Sequence, residues 1–337
     1  MNGLRPIDVH VHAIGNGLSG SGCRVQPAWW QRPFLELMAR DVGVKADASH
    51  PDFDQVYLER LIFWLNDSDL AGVVLLACDN FYTPAGECCP DRTRLYVPNG
   101  YVFAAAKKDS RLLPGISIHP ARNDALDELD RCLEEGAVLL KLLPCVQNVD
   151  PALRRYRQFW ERIAESGLPL LAHTGGEFSL PVFRRDLQDP ECLRVPLDLG
   201  VKVIAAHCGA PAVPWDRDYS SGFASLRGQY PNLYGDVSAL SQLTHLKTLT
   251  QLRDDPVRVV YGSDFPVVTT TLPSRLVGWI SRDQARRLQR TANPLQRKLE
   301  LTRQLGFPAS IFESVYKILR PSPALAALQN SGSALAD

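Results

Sequence analysis

Ile7-Asp8-Val9-His10-Val11-His12 decides how this chain is read, because apolar residues at 7, 9 and 11 alternate with Asp8, His10 and His12. In an extended strand, residues i and i+2 share a face, so the two imidazoles project together. Two imidazoles so placed can hold one metal ion, yet polar residues alternate on many half-exposed strands for no such reason. Partners contributed by the rest of the chain have to decide between the two.

Seven further short apolar runs lie downstream, at 71–77, 113–119, 137–143, 169–173, 201–207, 233–238 and 257–264. Near-continuous apolar runs of this length suit parallel strands buried on both faces. Helical patterns lie between them. Residues 124–135 place Leu126, Leu129 and Leu133 on one stripe with Gly136 as a stop, Asp150-Pro151 opens a helix running to Ser166-Gly167, and 55–70 forms a third. Eight strands alternating with helices indicate an α/β fold of the (β/α)8 TIM barrel type with long βα loops. The rival is a doubly wound sheet, but no Gly-x-Gly-x-x-Gly comes after the first strand. A single barrel domain is expected over 1–320, with 282–299 helical and interrupted at Asn293-Pro294, and 321–337 a frayed tail.

Lys+Arg and Asp+Glu both number 37 in 337 residues, so no basic field draws nucleic acid or acidic lipid. No apolar run approaches the ~20 residues of a membrane span, and residues 1–6 lack a signal-like apolar core, so a cytoplasmic protein is expected. The eight cysteines read as reduced, mostly buried thiols. A small-molecule substrate is the expected partner, and a homodimer is left open. Three connections, 13–54, 78–98 and 208–228, extend from strand ends and form either substrate walls or ordered surface loops. Trp29, Trp30 and Tyr82 are aromatic-pocket candidates with core packing as the alternative, and Arg24, Arg92 and Arg94 are candidates for an anion clamp.

Chemistry-bearing residues fall at the C-terminal ends of the expected strands, where barrel enzymes build their sites. They are His10 and His12 on strand one, Lys141 on four, His173 on five, His207 on six and Asp264 on eight. His119 ends strand three and reads as a structural group, while His50 and His245 read as solvated loop residues. An unpaired ammonium inside a barrel is costly, and together the set points to a metal site.

These residues sit in Asp-x-His-x-His at 8–12, Leu171-Ala172-His173-Thr174-Gly175, Ala205-Ala206-His207-Cys208 and Gly262-Ser263-Asp264-Phe265-Pro266. In them the chain resembles the amidohydrolase superfamily of metal-dependent hydrolases, nearest its aminocarboxymuconate-semialdehyde decarboxylase-like branch. The resemblance implies that His10, His12, His173 and Asp264 hold a divalent metal, zinc first, with manganese, iron and nickel as alternatives. It implies that His207 is a second-metal ligand or orients the catalytic water. In two-metal branches the lysine ending strand four is carboxylated and bridges the ions, with His173 and His207 holding the second, and Lys141 stands on that strand with the parity of Leu139 and Leu143. The expected function is hydrolysis of an amide, ester or lactone by a metal-activated water, with Asp264 and His207 catalytic. A metal-dependent non-oxidative decarboxylase and a non-catalytic metal-binding barrel are the alternatives. Asp8, sharing the parity of the histidines, is a candidate to orient one of them, and Glu177 is either a binder of a cationic substrate group or an exposed loop acid.

Overall fold

Strands apolar on both faces need cover on both, and each of the eight runs becomes one strand of a single parallel sheet. The computed structural model describes residues 4–44, 49–238 and 242–333. The strands are β1 (Ile7–His12), β2 (Gly72–Leu76), β3 (Leu112–Ile116), β4 (Leu139–Leu142), β5 (Leu170–His173), β6 (Val203–Ala206), β7 (Leu233–Asp236) and β8 (Val259–Val260). They lie side by side in chain order.

The two edges meet. Val9 N–H donates to the Tyr261 carbonyl at 3.2 Å, Phe265 N–H to His10 at 3.2 Å, and His12 N–H to Phe265 at 2.8 Å. This seam closes the sheet, so the fold is the (β/α)8 barrel and not an open doubly wound sheet.

The barrel interior is layered. Val74, Leu113, Leu139, Leu171, Ile204 and Val260 form one apolar cluster, each on the inward-facing parity of its strand. Two residues further along β4 and β5, that same parity carries Lys141 and His173. On β1 the pairing with β2 is irregular between Asp8 and Val11. Ile7 and Val9 belong to the interior cluster, whereas Val11 belongs to the outer one under the helices. The strand thus exchanges faces at this bulge, and the simple alternation read from the sequence does not run through it.

Helices match the expected patterns with shifted ends. The stripe at 124–135 is the helix Ala125–Glu134, and 55–70 is Phe53–Asn66. Asp150-Pro151 does not open the next helix: the Asp150 side chain accepts from Ala152 N–H in a turn, and the helix runs Arg157–Ser166 after a short 3-10 segment. The frayed tail is also corrected. Residues Pro323–Ser333 form a helix, with Leu325 and Leu328 buried in the interior cluster at the closed end of the barrel, and 334–337 lie outside the described residues. Leu328 packs so closely on Gly72 that a Cβ there would stand 2.8 Å from its methyl group.

The first two long connections clasp one another. Arg24–Val25 pairs antiparallel with Leu95–Tyr96, and the helix Arg32–Val42 follows the first of these strands in the chain. All eight cysteines are free, and no helix among the described residues is long and apolar enough to cross a membrane.

Asn293 interrupts the helical stretch expected at 282–299 through its side chain. Its Oδ1 caps Leu295 and Gln296 N–H, while its Nδ2 donates to the carbonyls of Trp64 at 2.8 Å and Asp67 at 2.6 Å. Asn293→Ala strands two carbonyls and a helix N-terminus, so a loss of about 2–3 kcal/mol is expected, read as a lower urea midpoint with unchanged m-value.

Candidate metal centre

His10 and His12 leave the end of β1 toward Asp264, which lies just beyond β8. The ligand atoms of these three residues all lie within 4.8 Å of one another. Asp264 Oδ1 is 3.3 Å from His10 Nε2 and 3.2 Å from His12 Nε2. Asp264 has φ 58° and His207 φ 60°, left-handed values uncommon for residues with a Cβ and concentrated at functional sites. Around Asp264 the backbone is pinned: Ser263 N–H donates to Asp8 Oδ1 at 2.9 Å, and Lys298 Nζ donates to the Ser263 carbonyl at 3.0 Å.

Asp236, at the end of β7, organises the histidines. Its Oδ2 accepts from His10 Nδ1 at 2.8 Å. Its Oδ1 accepts from His207 N–H at 3.0 Å and from Ser238 Oγ at 2.5 Å, and Ser238 Oγ in turn lies 2.9 Å from His207 Nδ1. Nδ1 of both rings is therefore the donor, which leaves Nε2 of each with its lone pair. His173 is set the other way round, its Nε2 3.2 Å from the Gly176 carbonyl. Burial first, and then the Lys141 ammonium, hold His10 well below the usual imidazole range and His173 at about 3. His207 is also well below, mainly through burial. Neutral imidazoles with oriented lone pairs beside an ionised carboxylate are the donor set a divalent cation requires, so these residues fit a metal. Burial pushes Asp264 up, but the His10, His12 and His207 imidazoles outweigh it and keep its carboxyl well below the usual range.

Lys141 Nζ lies 3.1 Å from His10 Nε2. Burial lowers its pKa, with Asp264 and Asp236 opposing. Among the described residues no carboxylate forms an ion pair with it. Lys141, His12, His173, His207 and Asp264 line the floor of a cavity of about 600 Å³, with His10 buried beneath.

Other residues fall differently from the sequence reading. Asp8 orients no imidazole: its Oδ1 accepts from the backbone N–H groups of His10 and Ser263, because the bulge removes it from the histidines' face. Asp236 takes that task, which the sequence reading does not assign to it. Its one signal is an acid ending an apolar strand, in Leu233-Tyr234-Gly235-Asp236. His245 is not solvated but buried, its ring 6.1 Å from that of His207. Glu177 is not exposed either. It accepts from Ser179 and Leu180 N–H and lies 3.7 Å from His173 Nδ1, and burial raises it to about 7. Trp29 and Trp30 stand outside the cavity, and Tyr82 packs 4.8 Å from the His119 ring. Of the three arginines, Arg24 bonds Asn80, Arg92 lies over Phe81, and Arg94 alone lines the cavity.

His119 is structural. Its Nδ1 accepts from Ala121 N–H at 3.0 Å and its Nε2 lies 3.0 Å from the Gln147 carbonyl.

This wiring has two measurable consequences. Asp236→Asn presents an amide where two imidazole-directing bonds need a carboxylate, so metal affinity should fall about 10–100-fold with the fold intact, measured by competition with a chromophoric chelator. Burial holds His119 at about 3 in the folded chain against an ordinary 6.5, so the unfolded chain binds the extra proton between those values. Stability is then lost as pH falls from 6.5 toward 3, by up to about 1.4 kcal/mol per pH unit from this group. Urea titrations at pH 6.5 and 5 should show a shallower pH dependence in His119→Gln; an unchanged slope would refute the assignment.

The family model for amidohydrolases matches residues 96–289, more than half of the chain. An uncharacterized TIM-barrel protein from Bordetella bronchiseptica superposes with TM-score 0.55 at 18% identity, over 90% of this chain and 100% of that one, which shows the shared fold. A 5-carboxyvanillate decarboxylase from Sphingomonas paucimobilis gives 0.49 at 14% identity, over 97% and 99% of the two chains. A dihydroorotase from Campylobacter jejuni gives 0.49 at 14%, over 93% and 83%. No significant match occurs among curated proteins. On the family match, the chain belongs to the amidohydrolases, metal-dependent enzymes built on a (β/α)8 barrel.

Proposed function

We propose that this protein hydrolyses an amide, ester or lactone with a metal-activated water. His10, His12 and Asp264 would hold one divalent cation, His173 and His207 would hold a second, and a carboxylated Lys141 would bridge the two. Zinc suits this nitrogen and oxygen donor set, with manganese, iron and nickel as alternatives. The observation that carries the reading is Lys141, whose amine sits wholly buried on the cavity floor, 3.1 Å from a histidine lone pair and without a carboxylate partner among the described residues. A plain ammonium there is a costly packing choice, whereas carboxylation turns the same side chain into an anionic ligand.

A bound divalent cation would lower the pKa of water from 15.7 toward about 7 and polarise the scissile carbonyl. The chain does the rest. Asp264, ionised and fixed by its pinned backbone, takes the proton from the attacking water and hands it to the leaving group. His207, with its Nδ1 committed to Ser238, presents Nε2 to the same space. Eight free thiols suit a reducing compartment, so the cytoplasm and a small-molecule substrate are part of the proposal.

One observation favours a second reading. His10, His12 and Asp264 form a compact trio of ligand atoms that His173 does not join, a set able to hold the one ion of a decarboxylase reading. Elemental analysis of protein purified without chelator separates the two. About two metals per chain, falling to one or none in Lys141→Ala, is expected; one metal in both proteins would overturn the bridged pair and make decarboxylation the reading. Asp264→Asn should lower kcat by about 10²–10⁴-fold in either case.

A further inference from the structure

The cavity has two chemically distinct parts. Its candidate metal ligands are gathered on the floor, while its walls come from separate connections and are mainly apolar, with Gln31, Arg94, Gln242 and Thr270 as polar exceptions. Phe34 and Met38 project from the helix Arg32–Val42, Leu95 from the clasp, Phe178 from the loop after β5, Leu243 from the segment after β7, and Leu272 from that after β8. The apolar character continues to the rim, where Leu37 is 50%, Phe178 43%, Leu243 57% and Leu272 44% exposed. Single exposed leucines need no explanation, but apolar side chains converging from four segments around one opening mark a binding surface. Phe178 is held there edge-on to Phe34, with ring centroids 6.0 Å apart and planes at 86°, and 5.6 Å from Trp30.

Polar recognition in the walls is sparse. Above the floor histidines, Lys141 and Asp264, the charged lining residues among those described are Glu177 and Arg94. Glu177 is tied to Ser179 and Leu180 N–H, and Arg94 is exposed where it lines the cavity. Gln31 is spent as well, accepting from Ala28 N–H and donating to the Ser179 carbonyl. A substrate with a second carboxylate, a phosphate or many hydroxyls would exchange water for walls that return few hydrogen bonds, which costs affinity for every group left unpaired.

We infer that the substrate carries an extended apolar group, an alkyl or acyl chain beside the scissile carbonyl, which the Phe34–Phe178–Leu272 wall takes out of water. This rests on the hydrolase reading for the bond that is cut, but not for the chain that is bound. A cavity of about 600 Å³ lies within the size that encloses a drug-sized ligand.

Binding and turnover are tested separately. Uncleavable 2-alkanones from butanone to decanone, and their ω-carboxylated counterparts, are titrated into the metal-loaded protein by displacement of the neutral dye Nile red. Matched γ-alkyl lactones, p-nitrophenyl alkanoates and alkanoyl p-nitroanilides are then assayed for hydrolysis. Each added methylene should tighten the ketone about fourfold, equivalent to ~0.8 kcal/mol per buried CH₂, and an ω-carboxylate should weaken it at least tenfold. In Phe178→Ser and Leu272→Ser the gain per methylene should fall below twofold, with metal content and circular dichroism unchanged. Affinity flat with chain length, or a carboxylated ketone binding as tightly as its neutral parent, would overturn the inference. Chain-length-dependent binding with no turnover of any matched ester, lactone or amide supports it while rejecting the hydrolase reading. Turnover indifferent to chain length does the reverse.

Discussion

One oxygen of Asp8 accepts hydrogen bonds from two backbone amides, that of His10 at 3.0 Å and that of Ser263 at 2.9 Å, and so ties the first strand of the barrel to the segment leaving the last. The geometry of the candidate metal centre depends on this joint, because His10 and His12 stand on one side of it and Asp264 on the other. Lys298 bonds the Ser263 carbonyl from below, and Ser263 Oγ accepts from Phe265 N–H at 3.1 Å, so both backbone groups of Ser263 are held by buried partners. Such pinning keeps a non-glycine residue at positive φ, a conformation that costs about 1–3 kcal/mol and persists only where its surroundings over-determine it. Burial lifts Asp8 to about 6 and drops Lys298 to about 8, a mark of how strongly the site resists charge that is not compensated. At Asp8 the Ser263 side chain and the backbone N–H groups of His10 and Ser263 oppose burial and compensate part of the charge.

The same economy governs the floor. Asp236 serves two histidines at once, one directly and one through Ser238, and each ring is left with a single oriented lone pair. Burial alone would neutralise the imidazoles without choosing a tautomer. The carboxylate makes that choice, and a site lacking it would present rings free to turn their N–H toward a cation.

Much of this is readable in the sequence, and the failures share a cause. Eight apolar runs declare the strands because burial on both faces leaves no polar positions to confuse the pattern, and the ends of the runs then stand out as His12, Lys141, His173, His207 and Asp264. Parity reasoning works for Lys141 and His173, whose strands are regular. It fails for Asp8, since a bulge between Asp8 and Val11 swaps the faces, and nothing in Asp-Val-His-Val-His signals one. Asp236 passes as an ordinary strand end because its role is defined by His10, 226 residues away. His245 and the helix Pro323–Ser333 mislead for a related reason: a loop histidine and an alanine-rich terminus look solvated until a tertiary partner covers them.

The division of the cavity explains why reaction chemistry is more legible than substrate. Floor residues are set by strand register, which short-range periodicity encodes. Wall residues come from connections of unlike length whose side chains meet only after the barrel closes, and Trp29-Trp30 illustrates the difficulty. That pair is the most conspicuous aromatic feature of the first loop, yet Trp29 is exposed and Trp30 only backs Phe178 from outside the cavity, while the less conspicuous Phe34 and Phe178 line it. A loop can therefore be rewritten without disturbing Asp236, Lys141 or the joint at Asp8, and the wall changes its ligand while the floor keeps its chemistry. Substrate class in this fold has to be read from which side chains converge above the floor, and here the ones that converge are apolar.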